Sequence, residues 1–284
     1  MEAIISNGPL RASINSRGAE LNSLLDASGR EYMWDGNPVF WGKHSPVLFP
    51  IVGTLKNNRY TYNGKEYHMT RHGFARDHEF AIKVKDEKSV TFSLAANEEM
   101  REAYPFDFEL EIKYSLHGNR LTTDYTIINH GNETMPFSLG AHPAFALPEP
   151  FERYSLRFEY DEKPVSTLLE DGLLSEKTTI LPVANGVLPL SYTLFEKDAI
   201  VLKEHISKHI DILESEIPLL RVWYNDFPHL GIWTIQNAPF ICIEPWQGYS
   251  DTLSATGKLH EKEGIIILQP KEHYKIGFAI EILR

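Results

Sequence analysis

The chain has 284 residues, of which 42% are hydrophobic and 24% charged, a balance typical of a globular protein with a core of good size. Its 39 acidic residues outnumber the 28 basic ones, and the net charge of -11 argues against a nucleic-acid or anionic-membrane partner, either of which would need a basic patch. A small phosphorylated ligand stays open, because it needs only a few local cations. The single cysteine, Cys242, excludes an internal disulfide and a thiol metal cluster, and its apolar neighbours favour a small core residue over a nucleophile.

The N-terminal segment lacks the basic region and long apolar stretch of a signal peptide. Nowhere does an apolar run approach the roughly 18 residues of a membrane-spanning helix. We therefore predict neither a signal peptide nor a membrane span, and a cytoplasmic location by default.

Apolar and polar residues alternate with a period of two along the chain, whereas helical periodicity is scarce. Strands are predicted at 10–15, 19–25, 59–62, 65–67, 80–85, 89–94, 108–116, 121–128, 154–160, 199–202, 219–224, 232–235, 240–243, 265–268 and 274–283. One short helix is predicted at 97–103, capped by Asn97 and stopped by Pro105. Roughly fifteen short strands predict an all-β fold, a large antiparallel sandwich or barrel. Because no composition shift marks a linker, we expect one domain over residues 1–284.

One stretch, Phe240-Ile-Cys-Ile-Glu-Pro-Trp-Gln-Gly248, places a carboxylate beside an apolar run. Residues 240–243 indicate a buried strand, and we expect Glu244 at its end, entering a Pro-Trp-Gln-Gly turn. A carboxylate in such a position is costly unless another group uses or pairs it. Glu244 is therefore the candidate catalytic base, and Trp246 is a candidate wall of its site.

The loop Met69-Thr-Arg-His-Gly-Phe-Ala-Arg-Asp77 gathers several polar side chains around a glycine. Arg71, His72 and Arg76 could converge on an oxygen-rich ligand, since arginine offers fixed bidentate donors. A solvated loop with a local Arg76–Asp77 pair is an equally good interpretation of this loop alone. His68, His72 and His78 lack a helical ligand spacing, so we predict no metal site here.

A second histidine lies in Pro136-Phe-Ser-Leu-Gly-Ala-His-Pro-Ala-Phe145. His142 is fixed by Pro143 in an apolar setting, where it could work as an acid, although a hydrogen-bonded histidine of the core would show the same sequence pattern.

Three further features are less specific when taken alone. Asp198 precedes a predicted strand and, alone, is typical of a turn. The aromatic stretch 223–233 suits sugar rings, whose C–H faces stack on aromatic rings, and equally suits a sandwich core. The segment 46–53, in which Pro46 and Pro50 bracket an apolar run, is predicted to be rigid and extended. Together, these groups lack a serine or cysteine nucleophile motif, a metal set and a glycine-rich phosphate loop, and they suit proton transfer on a carbohydrate.

The motifs occur in a recognisable order. His72-Gly-Phe-Ala-Arg76, then Gly140-Ala-His-Pro-Ala-Phe145, then Ile243-Glu-Pro-Trp-Gln-Gly248 resemble the aldose 1-epimerase (galactose mutarotase-like) family, especially its LacX-like bacterial branch. The segment 41–53 fits that branch too, and the resemblance covers nearly the whole chain from about residue 14. It implies a large antiparallel β-supersandwich and a cofactor-free interconversion of the α and β anomers of an aldose.

The resemblance also implies roles for individual residues. Glu244 matches the base that takes the proton of the C1 hydroxyl, and His142 matches the acid that protonates the ring oxygen. His72 matches a second active-site histidine, and Arg71 matches a substrate-binding arginine. Two further matches are Asp198, to a carboxylate that binds sugar hydroxyls, and Asn57, to a sugar-binding asparagine. The chain departs from the galactose mutarotases around Asn57, where it reads Thr54-Leu-Lys-Asn-Asn-Arg59.

Two alternatives stay open at the level of the sequence. A hexose-6-phosphate 1-epimerase of the same fold would need rim cations, for which Arg71, Arg76 and Lys56 are candidates. A non-catalytic carbohydrate-binding protein would keep the cleft without needing both an acid and a base. The sequence does not reveal the sugar or the oligomeric state.

Overall fold

A computed structural model describes all 284 residues and contains 24 strands, one α-helix and five short 3₁₀ segments. The strands are β1 (Glu2–Ser6), β2 (Leu10–Asn15), β3 (Glu20–Asp26), β4 (Val47–Leu48), β5 (Arg59–Tyr62), β6 (Lys65–His68), β7 (Ala81–Lys85), β8 (Ser89–Ala95), β9 (Phe108–His117), β10 (Arg120–Asn129), β11 (Met135–Phe137), β12 (Leu139–Ala141), β13 (Ala144–Ala146), β14 (Tyr154–Phe158), β15 (Val165–Glu170), β16 (Leu173–Ile180), β17 (Val187–Pro189), β18 (Ile200–Leu202), β19 (His209–Glu214), β20 (Ile217–Trp223), β21 (His229–Trp233), β22 (Phe240–Gln247), β23 (Ile266–Leu268) and β24 (His273–Ile282). The helix α1 is Glu98–Ala103, and the 3₁₀ segments are Lys56–Asn58, Ala75–Asp77, Phe151–Arg153, Tyr192–Phe195 and Leu259–Glu261. None of the helices is long and apolar enough to cross a membrane.

Two large sheets dominate the architecture. A nine-stranded sheet has the order β17-β14-β19-β20-β24-β10-β9-β8-β7, and a six-stranded sheet has the order β18-β21-β22-β12-β4, with β13 also paired to β22. All pairings between these named strands are antiparallel. A three-stranded sheet, β1-β2-β3, and three two-stranded sheets complete the molecule. The prediction of a large antiparallel all-β fold is confirmed.

Both large sheets bury one face in a common core of 66 buried residues. Phe108, Leu110 and Ile112 alternate along β9 in the nine-stranded sheet, and Ile241 and Ile243 contribute from β22 in the six-stranded sheet. Successive side chains of a strand point to opposite faces, so a period-two apolar pattern produces one continuous buried surface. This burial is the main stabilising contribution of the alternating pattern.

The local predictions are largely confirmed. The helix forms at Glu98–Ala103, and the side chain of Asn97 caps it by accepting a hydrogen bond from the Met100 N–H at 2.8 Å. Asn63-Gly64 joins β5 to β6 as a hairpin, with Asn63 at a φ of 49° and Gly64 at 76°. Short strands such as β11, β12 and β13 were not predicted, because three residues are too few to show a period.

The prediction that Glu244 lies at the end of a strand is wrong. Strand β22 continues through Pro245 to Gln247, so Glu244 lies within the six-stranded sheet. Pro245 is tolerated there because the neighbouring chain is irregular beside it: β12 ends at Ala141 and β13 begins only at Ala144. The interruption contains His142, which places the two candidate catalytic residues at one defect in the sheet.

Candidate active site

Glu244 points away from the main core. Alternation along β22 sends Ile241 and Ile243 into the core, and sends Cys242, Glu244 and Trp246 to the opposite face of the sheet. On that face, Cys242 belongs to a small apolar cluster with Trp34, Ala144, Ala238 and Phe240. Trp246 belongs to another with Leu48, Val52, Leu174, Val201 and Tyr249. Glu244 lies between the two clusters and is only 1% exposed.

The strand register brings His142 opposite Glu244. Gly140 pairs with Trp246 on one side of the interruption, and Ala144 pairs with Cys242 on the other. The Ile243 N–H also donates to the Pro143 carbonyl at 3.3 Å, so the same register runs through the gap. Directly opposed side chains on one face of an antiparallel pair lie close together. His142 Nε2 is accordingly 3.2 Å from Glu244 Oε2.

His142 and Glu244 are buried, but the protein does not supply hydrogen-bond partners for all of their polar atoms. His142 is 7% exposed. The 3.2 Å contact lacks the alignment of a hydrogen bond, and neither Glu244 Oε2 nor His142 Nδ1 has a hydrogen-bond partner. Buried polar atoms without partners are uncommon and cost free energy, so each needs an explanation, and a bound ligand that supplies the missing contacts is one that fits two such atoms side by side.

Burial sets the protonation of both groups. It raises the pKa of Glu244 to about 8, while the nearby Arg71 guanidinium and Trp246 indole lower that pKa to a smaller extent and Asp198 raises it. Burial also lowers the pKa of His142 to about 3, and the positive charges of Arg76 and Arg71 lower it further. Between these two values the pair carries one proton, and its resting form is a neutral carboxyl beside a neutral imidazole.

Two tryptophans form walls around His142. The Trp41 ring stacks on the imidazole with centroids 4.8 Å apart and an interplanar angle of 27°. Trp233 meets the same imidazole edge-on at 5.8 Å, and the two indoles contact each other at 5.5 Å. Neither residue was predicted individually as a site residue, although Trp41 begins the family-like segment and Trp233 ends the aromatic stretch 223–233. Their positions beside His142 depend on contacts far apart in sequence.

His72 is held as a fixed hydrogen-bond donor. It has a φ of 69°, and its Nδ1 accepts a hydrogen bond from the Gly53 N–H at 3.1 Å. A neutral imidazole that accepts at Nδ1 carries its proton on Nε2. Burial holds the pKa of His72 well below its ordinary value, and the charges of His142, Arg71 and Arg76 act in the same direction. Its ring lies 5.8 Å from that of His142, so the second predicted histidine does join the first.

Arg71 and Asp198 approach each other at the exposed side of the pair. Arg71 Nη2 is 3.8 Å from Asp198 Oδ1, and the two side chains are 46% and 29% exposed. The Arg71 Nε lies 3.2 Å from His72 Nε2, which cannot accept the arginine N–H while His72 Nδ1 accepts from Gly53, because a neutral imidazole has only one acceptor nitrogen. Asp198 has a φ of 102°, a strained backbone that residues other than glycine rarely adopt. It also lines an open groove with Tyr192, Phe195, Trp233 and Gln236.

Trp246 lies beside Glu244 on the same face of the sheet and is packed against the backbone of two glycines. It is 5% exposed, and its ring fits only because two neighbouring residues lack side chains. A Cβ on Gly231, the residue paired with Glu244, would lie 2.4 Å from the ring, and a Cβ on Gly140 would lie 2.8 Å from it. The predicted aromatic wall, Trp246, is thus a buried, packed residue, whereas the partly buried tryptophans beside His142 are Trp41 and Trp233.

The structure gives Arg76, Asn57 and Lys56 other surroundings. Arg76 Nη2 donates to the Arg71 carbonyl at 2.7 Å, which supports the loop that carries Arg71 and His72. Asn57 is exposed, has a φ of 59° and lines a separate depression with Arg59, Glu66 and Thr256. The Lys56 ammonium donates to the Leu253 carbonyl at 2.7 Å. None of these three has a side-chain contact with Glu244 or His142.

The chain is similar to known proteins over its full length. The family model for aldose 1-epimerase matches residues 2–276. The plasmid-encoded protein LacX of Lactococcus lactis is 36% identical, with 98% of each chain covered. A galactose mutarotase related enzyme from Lactobacillus acidophilus is 36% identical, with a TM-score of 0.96 over 100% of this chain and 98% of that one.

A galactose mutarotase-like protein from Lactobacillus casei is 30% identical, with a TM-score of 0.94 and 100% of both chains covered. These matches confirm the galactose mutarotase-like fold suggested by the sequence motifs. The order of those motifs, the antiparallel supersandwich and the whole-chain matches agree, and the protein belongs to the aldose 1-epimerase family.

Proposed function

We propose that this protein is an isomerase that interconverts the α and β anomers of a hexose by acid–base catalysis through ring opening. The observation that carries the proposal is the buried His142–Glu244 contact at 3.2 Å, in which Glu244 Oε2 and His142 Nδ1 have no hydrogen-bond partner. Membership of the aldose 1-epimerase family supports the same reaction class.

The reaction requires two proton transfers on one hemiacetal. In the reactive form, Glu244 is a carboxylate and His142 an imidazolium, which differs from the neutral pair only by one proton moved between them. Glu244 takes the proton of the C1 hydroxyl and His142 gives its proton to the ring oxygen. The C1–O5 bond breaks to leave an aldehyde and a free C5 hydroxyl. Each such assisted transfer typically contributes about 10²–10⁴-fold.

Closing the ring restores the pair. Rotation about the C1–C2 bond presents the other face of the aldehyde to the C5 hydroxyl. His142 takes back the proton of that hydroxyl while Glu244 returns a proton to the C1 oxygen. No covalent intermediate forms and no atom is gained or lost, so the residues need to supply only proton transfer and positioning.

The surrounding residues provide sugar contacts in this proposal. The Nε2–H of His72 donates to a sugar oxygen, and Arg71 and Asp198 bind hydroxyls at the exposed side. Trp41 and Trp233 offer faces and edges to the C–H groups of the ring. Arg76 acts by holding the Arg71 carbonyl. Asn57 remains a prediction from the resemblance alone, since its present contacts do not support a role.

The phosphorylated-substrate alternative receives less support. A phosphate site needs at least two converging cations, and Arg71 is the one candidate beside Asp198 and His72. Arg76 is bonded to a backbone carbonyl, and Lys56 is bonded to Leu253. The Arg71 guanidinium already faces an aspartate, which would repel a phosphate. An uncharged hexose suits this site better.

Anomer exchange tests the proposal directly. We expect wild-type protein to accelerate α–β exchange of at least one unphosphorylated hexose, measured by polarimetry or exchange NMR. Glu244→Gln keeps the shape of the carboxyl but removes the base, and His142→Gln removes the acid. An exchange rate equal to that of buffer for every aldose and aldose phosphate tried would leave the non-catalytic carbohydrate-binding alternative.

A further inference from the structure

A third donor lies beside the candidate catalytic pair. Cys242 precedes Glu244 by two residues on β22, so its side chain is on the same face of the sheet. Ala144, two residues after His142, pairs with Cys242. A His142 ring nitrogen, Cys242 Sγ and a Glu244 carboxylate oxygen all lie within 4.8 Å of one another, and all three residues are buried.

The donors are not committed to other partners. Glu244 Oε2 is without a hydrogen bond although the residue is only 1% exposed, and His142 is not anchored through Nδ1. Cys242 is a free thiol. Three different ligating atoms thus face one small volume with at least one buried oxygen unsatisfied, which a packed core residue and a simple proton-transfer pair do not by themselves require.

We propose that His142, Cys242 and Glu244 form a binding site for a thiophilic divalent cation of the Zn²⁺ class, and that this cation excludes the sugar. Zinc binds imidazole nitrogen at about 2.0–2.1 Å, thiolate sulfur at about 2.3 Å and carboxylate oxygen at about 2.0–2.2 Å, usually in a tetrahedron. The 3.2 Å separation of His142 Nε2 and Glu244 Oε2 already suits two ligands of such a tetrahedron, so the thiol is the donor that must approach. Mg²⁺ and Ca²⁺ prefer all-oxygen sets, so sulfur and imidazole select against them.

Binding of the divalent cation is balanced in charge by the release of two protons. The Cys242 thiol gives up its proton to become a thiolate, and the proton held by the pair also leaves to solvent. The cation takes the place of these two protons, nothing is oxidised, and a fourth coordination position remains for water on the open side. The inhibition rests on the proposed function, because the cation occupies the acid and the base, whereas the binding does not depend on it.

Cobalt substitution tests the site without any sugar. Co²⁺ bound by a thiolate has a ligand-to-metal charge-transfer absorption, so titration of chelator-treated wild-type protein should give this band at one cobalt per chain. Cys242→Ala should lose the band and bind the metal at least about tenfold more weakly. His68→Ala is the matched control, because His68 is an exposed histidine with a side chain 78% accessible, and it should behave as wild type.

The same proteins then test inhibition. Zn²⁺ should suppress wild-type anomer exchange relative to the rate of the same protein with chelator, and Cys242→Ala should need at least about tenfold more metal. Equal metal affinity in wild type and Cys242→Ala, or loss of binding in His68→Ala alone, would overturn the proposed site. If no variant exchanges anomers, the proposed function fails, and the cobalt band still decides whether the metal site exists.

Discussion

Two buried pairs of titratable residues differ in how the protein completes them. Lys262 and Asp251 lie 3.1 Å apart with side chains 2% and 4% exposed. His142 and Glu244 lie 3.2 Å apart with side chains 9% and 2% exposed. Distance and burial are therefore nearly the same, and the difference lies in the remaining hydrogen-bonding atoms.

The Lys262–Asp251 pair is completed by backbone groups. The Lys262 ammonium also donates to the Tyr249 carbonyl, and Asp251 Oδ2 accepts from the Lys56 N–H at 2.9 Å. The His142–Glu244 pair has an unpartnered oxygen and an unpartnered nitrogen. Two buried polar side chains in contact stabilise a fold only when their other polar atoms also have hydrogen-bond partners. We therefore interpret the Lys262–Asp251 pair as structural and call it the structural clip, and we assign the His142–Glu244 pair to the proposed ligand site.

The two pairs are connected through one segment. Asp251 accepts a hydrogen bond from Lys56, and the Asp251 N–H donates to the Thr54 carbonyl at 2.8 Å. The adjacent Gly53 N–H is the group that fixes His72. The clip therefore holds the segment that orients a candidate site residue, although it makes no chemical contribution itself.

The largest expected effect is on activity at the unsatisfied pair. Glu244→Gln removes the base and should lower kcat by about 10²–10⁴-fold. Its circular dichroism spectrum should match that of wild type, because the amide is isosteric with the carboxyl. A variant that keeps more than about a tenth of the wild-type rate would show that Glu244 is not the base.

The satisfied pair should respond in stability instead. Lys262→Ala leaves Asp251 as a buried, uncompensated charge and should lower the free energy of unfolding by about 3–5 kcal/mol. Lys258→Ala is the control, because its partner Glu261 is exposed and such surface pairs contribute about 0–1 kcal/mol. Urea unfolding measures both. Equal stability of the two variants would contradict the role assigned to the clip.

Replacing the unsatisfied Glu244 carboxyl should raise the free energy of unfolding, whereas removing Lys262 should lower it. Its folded pKa is about 8 against an ordinary value of 4.5, so its contribution to stability is complete below the unfolded value and is lost as the pH rises through about 8. Glu244→Gln cannot ionise and should be more stable than wild type by on the order of 2–4 kcal/mol near pH 8, and by little near pH 4. Urea unfolding at the two pH values checks this difference.

The pH dependence of activity follows from the proton count. The pair loses its single proton above the Glu244 pKa of about 8, so kcat should fall about tenfold per pH unit well above that value. It gains a second proton only near the His142 pKa of about 3, which places the acid limb there. Rates measured in chelator-containing buffer should show a plateau between these limbs. A kcat that continues to rise above about pH 9 would contradict the shared-proton mechanism.

The smallest expected effect concerns the stacked wall. Trp41 stacks on one face of His142, and in the proposed reaction it would stabilise the imidazolium form by a cation–π interaction, typically worth about 0.5–2 kcal/mol. Trp41→Leu should lower kcat by roughly threefold to thirtyfold, a range that corresponds to that energy. Trp41→Phe retains a ring and should lose less. A change confined to KM would assign Trp41 to sugar contact rather than to support of the imidazole.

Sequence patterns predicted the all-β class, the capped helix at Glu98–Ala103 and the Asn63-Gly64 hairpin, because each depends on local periodicity or turn chemistry. They also indicated Glu244 and His142 as a base and an acid through recognisable motifs. They did not predict Trp41 and Trp233 as walls, and they placed Glu244 at a strand end when it lies within β22. These failures share a cause, because the sequence pattern of one strand does not reveal which residues of other strands lie beside it in the sheet.

The amino-acid sequence by itself determined the alternating strands, the family membership and the chemical types of the candidate site residues. Only the tertiary structure decided that His142 faces Glu244 across two strands, that Cys242 joins them and that Asn57 is elsewhere. The physical reason is that a register between distant strands is set by the packing of the whole sheet. Burial then follows from that packing, and it moves the pKa values of Glu244 and His142 in opposite directions.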